Sequence, residues 1–336
     1  MPELEPVRVD QPLVLISQIQ RSGGTLVCQL LDGHSQMHTH PRELHWGRPS
    51  KYHWPRLDLA ASPTDLFDAL RERWIEDAVS HGYEKLGDAV KAGGVDLSRY
   101  ARPFDFSIDG QRNLFVRFAA KPFTSQRQAL DAYATSFFNA WNDYRWPSGA
   151  VRWWSAFAAR TMTLPGNVDR FLADYPDGRL LMPIREPVSW YASASRHSDE
   201  YKPVANGAML WRAAYEATYA AVQRYPERIM LLPYGQLVDD TESTMRAVAK
   251  FLGIDFEPIL LQPTFNAEPI ASNSSFRPSL GIDRSGARRS MQVMPWEEDA
   301  MEAVSFNLYP KLLGLSAKRI DGECSVAASN QQRAEF

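Results

Sequence analysis

A chain of 336 residues with 44% hydrophobic and 23% charged residues has the composition of a folded globular protein, not a disordered or fibrous one. Its net charge of −3 provides no basic field for nucleic acid or an anionic membrane surface, although a few local arginines can still hold a small anion. The only cysteines, Cys28 and Cys324, lie far apart and in no metal-binding spacing, which predicts no disulfide framework and fits a reducing, cytoplasmic setting.

Residues 1–11 read as a polar leader without the basic and apolar regions of a secretory signal. No segment approaches the roughly 20 apolar residues of a membrane helix, so no membrane span is expected. Three continuous apolar runs follow along the chain, at 13–16 (LVLI), 180–184 (LLMPI) and 229–232 (IMLL). Unbroken rather than alternating hydrophobicity predicts parallel strands covered on both faces.

Each run leads into a helix signal. The first is followed by residues 25–31 with apolar side chains at helical spacing, and the second by Pro187, a residue suited to a first helical position. After the third, Asp240 or Thr241 caps a helix carrying Met245, Val248, Ala249 and Leu252, and Gly253 ends it. A further helix fits 204–225, where Trp211, Tyr215, Thr218, Val222 and Tyr225 recur at gaps of 4, 3, 4 and 3. Strand–helix alternation of this kind predicts a P-loop-type, doubly wound α/β fold: a parallel sheet flanked by helices.

Residues 60–165 break the rhythm. Seven of the ten tryptophans fall between Trp46 and Trp154, and most of the stretch has helical composition. It is read as a helical insertion within a single domain, 12–316, capping the site and shaping a substrate pocket; 317–336 are read as a flexible tail. Adjacent Trp153 and Trp154 cannot share one helix face, so one of them is expected to be exposed.

The turn after the first strand, Arg21-Ser22-Gly23-Gly24-Thr25, carries the first chemical signal. Glycines let backbone N–H groups curl around an oxyanion, the helix N-terminus adds partial positive charge, and Arg21, Ser22 and Thr25 add donors. By itself such a loop is also compatible with a plain tight turn. It is not a Walker A loop, because Gln18 and the missing lysine break that pattern. The second strand ends in Arg185, not in the aspartate that would hold magnesium in an NTPase. Arg185 at a strand end and Ser193 eight residues later can face the same crevice and hold a second phosphate. The bland alternative for Arg185 is a surface ion pair with Glu186 or a neighbouring acid.

Taken together, these segments resemble the PAPS-dependent sulfotransferase family in its bacterial and tyrosylprotein-like branch, PAPS being 3′-phosphoadenosine-5′-phosphosulfate. Residues 21–25 with 30–34 (LLDGH) resemble the family's 5′-phosphosulfate loop and first helix. Arg185-Glu186-Pro187 with Ser193 resembles its 3′-phosphate motif; Tyr234, in 233–238, resembles the following segment; Asn273, Ser274 and Ser275 resemble its late nucleotide-contacting loop. The resemblance implies transfer of a sulfuryl group from PAPS to an acceptor hydroxyl, with PAP as product and no metal. It also implies Arg21 as stabiliser of the leaving phosphate. The tryptophan-rich stretch, whose aromatic faces can stack on sugar rings or a phenol, points to a carbohydrate or other small hydroxylated acceptor. Gly24 stands where many relatives carry Ser or Thr, which removes one hydroxyl donor.

Glu43 is the first candidate for the base, since it lies shortly after the first helix, where relatives with a glutamate base carry theirs. His38 and His40 are rivals within a cluster of five of the seven histidines, and His34 is expected to pack after the helix end. His38-x-His40 without a third ligand predicts no metal site. A kinase-like nucleotide enzyme and a non-catalytic nucleotide-binding protein on the same fold are the alternatives; oligomeric state stays open.

Overall fold

The run LVLI becomes β1 (Leu13–Ile16), the middle strand of a five-stranded sheet. The computed structural model describes residues 5–46, 52–83, 102–270, 281–284 and 293–317. The other two runs form β4 (Arg179–Ile184) and β5 (Ile229–Pro233). Two further strands join them, β2 (Met37–Glu43) and β3 (Trp153–Phe157), in the order β2-β3-β1-β4-β5. All four pairings are parallel.

Alternate residues of β1 serve two cores. Leu13 and Leu15 pack on one face, Val14 and Ile16 on the other, and all are fully buried. The second face is covered by α1 (Gly24–Leu31) through Val27, Leu30 and Leu31. It is also covered by α10 (Thr241–Leu252) through Met245, Val248 and Leu252. As expected, Asp240 caps α10 by accepting the Ser243 N–H, and Gly253 ends it with φ +68°.

The first face carries most of the aromatic residues. The stretch 60–165 contributes α2 (Pro63–Leu70), α3 (Trp74–His81), α4 (Ile108–Phe118) and α5 (Gln126–Ala140) to it. Helices α6 (Asn167–Asp174), α7 (Pro187–Ala194) and α8 (Val204–Arg224) complete it, with α9 (Tyr234–Asp239) following β5. A small hairpin, β6 (Thr264–Phe265) with β7 (Glu268–Pro269), and α11 (Pro295–Ser305), packed on α7 and α8, lie beyond.

Two expectations change. The helical stretch stops before β3, so residues 153–157 belong to the central sheet rather than to a cap. Both tryptophans are buried, Trp153 at 7% exposure and Trp154 at 1%, because a strand in a covered sheet points successive side chains into opposite cores. The leader is also partly fixed. Val9 is buried and its N–H donates to Thr135 Oγ1 at 3.0 Å, while Asn139 brackets Val7 through both its N–H and C=O.

The helical layer meets β2 in a buried polar contact. His40 Nε2 stands 2.9 Å from Glu72 Oε2, and Glu72 also accepts from Trp74 Nε1 and Tyr133 Oη. His34 packs behind α1 as expected, buried, with Nε2 2.8 Å from the Asp255 carbonyl oxygen.

Candidate active site

Ligands of open α/β sheets bind beyond the carboxyl ends of the strands, where the winding direction reverses. Here the chain leaves β1 for β2 and β3 on one side and returns to β4 and β5 on the other, so the crevice opens at the end of β1. The loop at that end is strained. Arg21 sits at φ +70° and Gly23 at φ +107°, left-handed conformations that cost a non-glycine residue roughly 1–3 kcal/mol. This backbone turns the chain directly into the N-terminus of α1, whose first residue is Gly24.

Arg21 and Arg185 converge across the crevice. Arg21 Nε donates to Ser193 Oγ at 3.1 Å, joining the β1 loop to α7. Arg185, only 5% exposed at the end of β4, donates from Nη1 to the Arg21 carbonyl at 3.0 Å and from Nε and Nη2 to Ser189 Oγ. Its guanidinium lies 4.7 Å above the Tyr234 ring, and the same ring closes against Gly23, where a Cβ would come within 2.6 Å of Tyr234 Cδ2. Five predicted residues from three strand ends, Arg21, Gly23, Arg185, Ser193 and Tyr234, therefore form one cluster.

Glu186 is not the ion-pair partner of Arg185. Its carboxylate caps α7, accepting the N–H groups of Val188 and Ser189. Pro187 stands in the first turn, as its fixed φ favours. Ser22 is fully buried and its hydroxyl has no hydrogen-bond partner among the described residues, an orphan donor beside the loop. Thr25 stands half-buried in the first turn of α1. Asn273, Ser274 and Ser275 lie outside the described residues.

Gly24 has a steric cause. A Cβ there would meet Phe157 Cε2 at 2.5 Å and Gln18 Cδ at 3.0 Å, and its N–H already donates to Gln18 Oε1 at 2.7 Å. Gln18 and Phe157 fill the space that a hydroxyl-bearing side chain would need. Gly24→Ser should cost about 1–3 kcal/mol of stability through overpacking, and Phe157→Leu in the same chain should recover much of it. Denaturant melts of the three variants test this.

Glu43 ends β2 and pairs in register with Phe157 of β3. Its side chain keeps 23% of its surface, with Oε1 3.8 Å from His45 Nε2. Leu44 N–H donates to the Phe157 carbonyl, so Phe157 ties the Glu43 strand end to the loop at Gly24.

His38 and His40 lie earlier on β2 and turn into the aromatic core. His38 is 1% exposed, packs on Phe138, Tyr144 and Trp146, and lies 3.1 Å from Tyr144 Oη. Burial lowers its pKa to about 4. His40 packs on Phe137 and Trp74 beside Glu72. Neither imidazole joins the arginine cluster through any of these contacts.

The His38 shift has a sign that can be checked. An ordinary His pKa near 6.5 in the unfolded chain against about 4 in the fold means that the unfolded state binds the extra proton between those values. Stability is therefore present in full above pH 6.5 and falls as pH drops towards 4. Relative to His38→Gln, wild type should lose about 2 kcal/mol more between pH 7.5 and 5. Buried Asp32 and Asp131, raised to about 6 and about 7, act in the opposite direction but cancel in that difference.

Comparison with known proteins decides the family. The model of the Sulfotransferase family matches residues 12–258. The chain belongs to the sulfotransferase family. No curated protein sequence matches it significantly. Among solved structures, the sulfotransferase domain of the curacin biosynthetic pathway shares 17% identity, covers 90% of this chain and 99% of its own, and has a TM-score of 0.55. That likeness is one of fold. The sulfotransferase domain of the Synechococcus PCC 7002 olefin synthase has 17% identity, covers 91% of this chain and 99% of its own, and has a TM-score of 0.46. A sulfotransferase from Alicyclobacillus acidocaldarius has 14% identity, coverages of 93% and 97%, and a TM-score of 0.43.

The family accounts for the parallel sheet of this sulfotransferase. Among the described residues, no helix is long and apolar enough to cross a membrane. Two residues next to the site, Ser189 and Phe157, carry no motif signal, since each acts through a neighbour that only the fold brings close, and Gln18, which the sequence marks only as a break in the Walker pattern, accepts the Gly24 N–H.

Proposed function

We propose that this sulfotransferase moves the sulfuryl group of PAPS to a hydroxyl of a small acceptor, a carbohydrate or another hydroxylated metabolite, in the cytoplasm and without a metal. The observation that carries the donor assignment is the bridge between the ends of β1 and β4, where Arg21 reaches Ser193 and Arg185 reaches the Arg21 carbonyl. A nucleotide phosphorylated at both its 5′ and 3′ positions presents two anions to such a site. The loop, its helix N-terminus and Arg21 would hold the 5′ end, and Arg185 with Ser193 the 3′-phosphate.

In the reaction, the acceptor hydroxyl oxygen forms a bond to sulfur as the bond from sulfur to the 5′-phosphate oxygen breaks in line. The leaving phosphate takes that electron pair, stabilised by Arg21 and the α1 N-terminus, and departs as PAP. The hydroxyl proton passes to the Glu43 carboxylate at the end of β2. Asn273, Ser274 and Ser275 are proposed as further nucleotide contacts on the family resemblance. An assay with sulfur-labelled PAPS, a panel of alcohols and chelator should give labelled ester with equimolar PAP. Transfer from ATP with magnesium instead, or PAP release without ester, would contradict the proposal.

A further inference from the structure

Arg21, on which the proposed two-anion site turns, has a left-handed backbone at φ +70°, which a non-glycine residue adopts only where its surroundings impose it. The constraint lies one position earlier. The Gln20 carbonyl accepts from the indole N–H of Trp190, a fully buried residue of α7, at 2.7 Å. A trans peptide points its C=O and N–H in opposite directions, so this bond also aims the Arg21 N–H away from Trp190. The peptide plane about which the Arg21 φ is set is therefore fixed from the core.

The side chain of Gln20 is held as well. Its Oε1 accepts from Tyr201 Oη, and its Nε2 donates to Tyr52 Oη at 3.2 Å. Burial pushes the Tyr201 pKa up to about 12, so that hydroxyl keeps its proton and stays a donor. The two tyrosines are anchored in turn. Buried Asn167 donates to the Tyr52 carbonyl at 3.0 Å, and the Arg160 guanidinium lies 4.3 Å over the Tyr52 ring. Arg160 also pairs with Glu200, the residue before Tyr201, at 3.0 Å. Tyr201 packs edge-on against Trp190, with ring centroids 5.4 Å apart. Segments that follow β2, β3 and β4 thus meet around a residue that follows β1.

We propose that Gln20 is a positioning residue of this sulfotransferase. Clamped by Tyr52, Tyr201 and Trp190, it holds the Arg21 backbone where Arg21 Nε meets Ser193 and the Arg21 carbonyl meets Arg185. Gln20 acts through Arg21 on the 5′ end of the nucleotide, not by touching the reacting atoms. Glutamine suits this position because one amide offers an acceptor to Tyr201 and a donor to Tyr52 at once. The inference rests on the sulfotransferase reading of the anion site.

Calorimetric titration with PAP and with adenosine 3′-monophosphate, which lacks the 5′-phosphate, separates positioning from plain structural support. Gln20→Met keeps the length of the side chain without its polar atoms, and should weaken PAP about tenfold. Adenosine 3′-monophosphate should stay within about twofold of its wild-type affinity, since Arg185 keeps its two bonds to Ser189. Tyr201→Phe removes one hydroxyl, keeps the ring, and should weaken PAP about fivefold. The double variant should bind PAP no worse than Gln20→Met alone, because the hydroxyl acts through Gln20. Thermal melts check that each variant is folded, and Tyr201→Phe alone carries the same comparison if Gln20→Met is not. Wild-type PAP affinity in the folded variants overturns the inference, as do equal weakening of both nucleotides and losses that multiply in the double variant. Failure of the wild type to bind PAP defeats the sulfotransferase reading itself, whereas normal wild-type binding with any of those results defeats only the positioning role.

Discussion

Glu43→Gln should lower kcat by about 10²- to 10⁴-fold while leaving PAP affinity near that of wild type, because a general base acts only on the proton moved in the transition state. The amide keeps the size of the side chain, so β2 and its register with Phe157 should survive. Glu43 stands at the carboxyl end of β2, partly open to solvent, with His45 Nε2 3.8 Å from its Oε1. Steady-state rates with calorimetric PAP binding separate the two effects. A kcat within threefold of wild type would remove Glu43 from the chemistry. The buried His38 and His40 would not then inherit the role unaided, since both rings are enclosed by aromatic residues of the first face.

The second large effect belongs to Arg185. Arg185→Ala should weaken PAP by about 100-fold, the loss expected when a charge-assisted bidentate contact disappears from a buried site. AMP, which lacks the 3′-phosphate, should weaken much less. Arg185 also ties Ser189 to the Arg21 carbonyl, so the alanine variant loses structure as well as charge. Arg185→Lys distinguishes the two: it retains a cation but not the planar fork, and should bind PAP between wild type and alanine. Equal weakening of PAP and AMP in both variants would place the 3′-phosphate elsewhere.

How much the sequence told depended on what kind of signal each element carries. Strands β1, β4 and β5 are covered on both faces, so continuous apolar runs announced them. The capped helix after β5 was equally legible, from Asp240 to Gly253. The strand β2 was hidden because it is an edge strand of polar residues interrupted by Pro41, which an edge tolerates. The strand β3 was hidden for a different reason. Its tryptophans sit among helices rich in aromatic residues, and nothing local marks the change from a helical to an extended period.

The site divided in the same way. Arg21, Arg185 and Ser193 were legible because each follows a legible strand at a fixed offset. The role of Gly24 was not, since its cause is Phe157, 133 positions away in sequence and on a strand that sequence reasoning missed. A side chain at position 24 is therefore excluded by packing between β3 and α1.

Calorimetric titration of the wild-type protein with PAP, AMP and ATP, in chelator and then in magnesium, tests the proposed two-anion site most directly. A site built by Arg21 and Arg185 across β1 and β4 predicts PAP far tighter than AMP, with no dependence on the metal. ATP binding tighter than PAP, and only with magnesium, would contradict it.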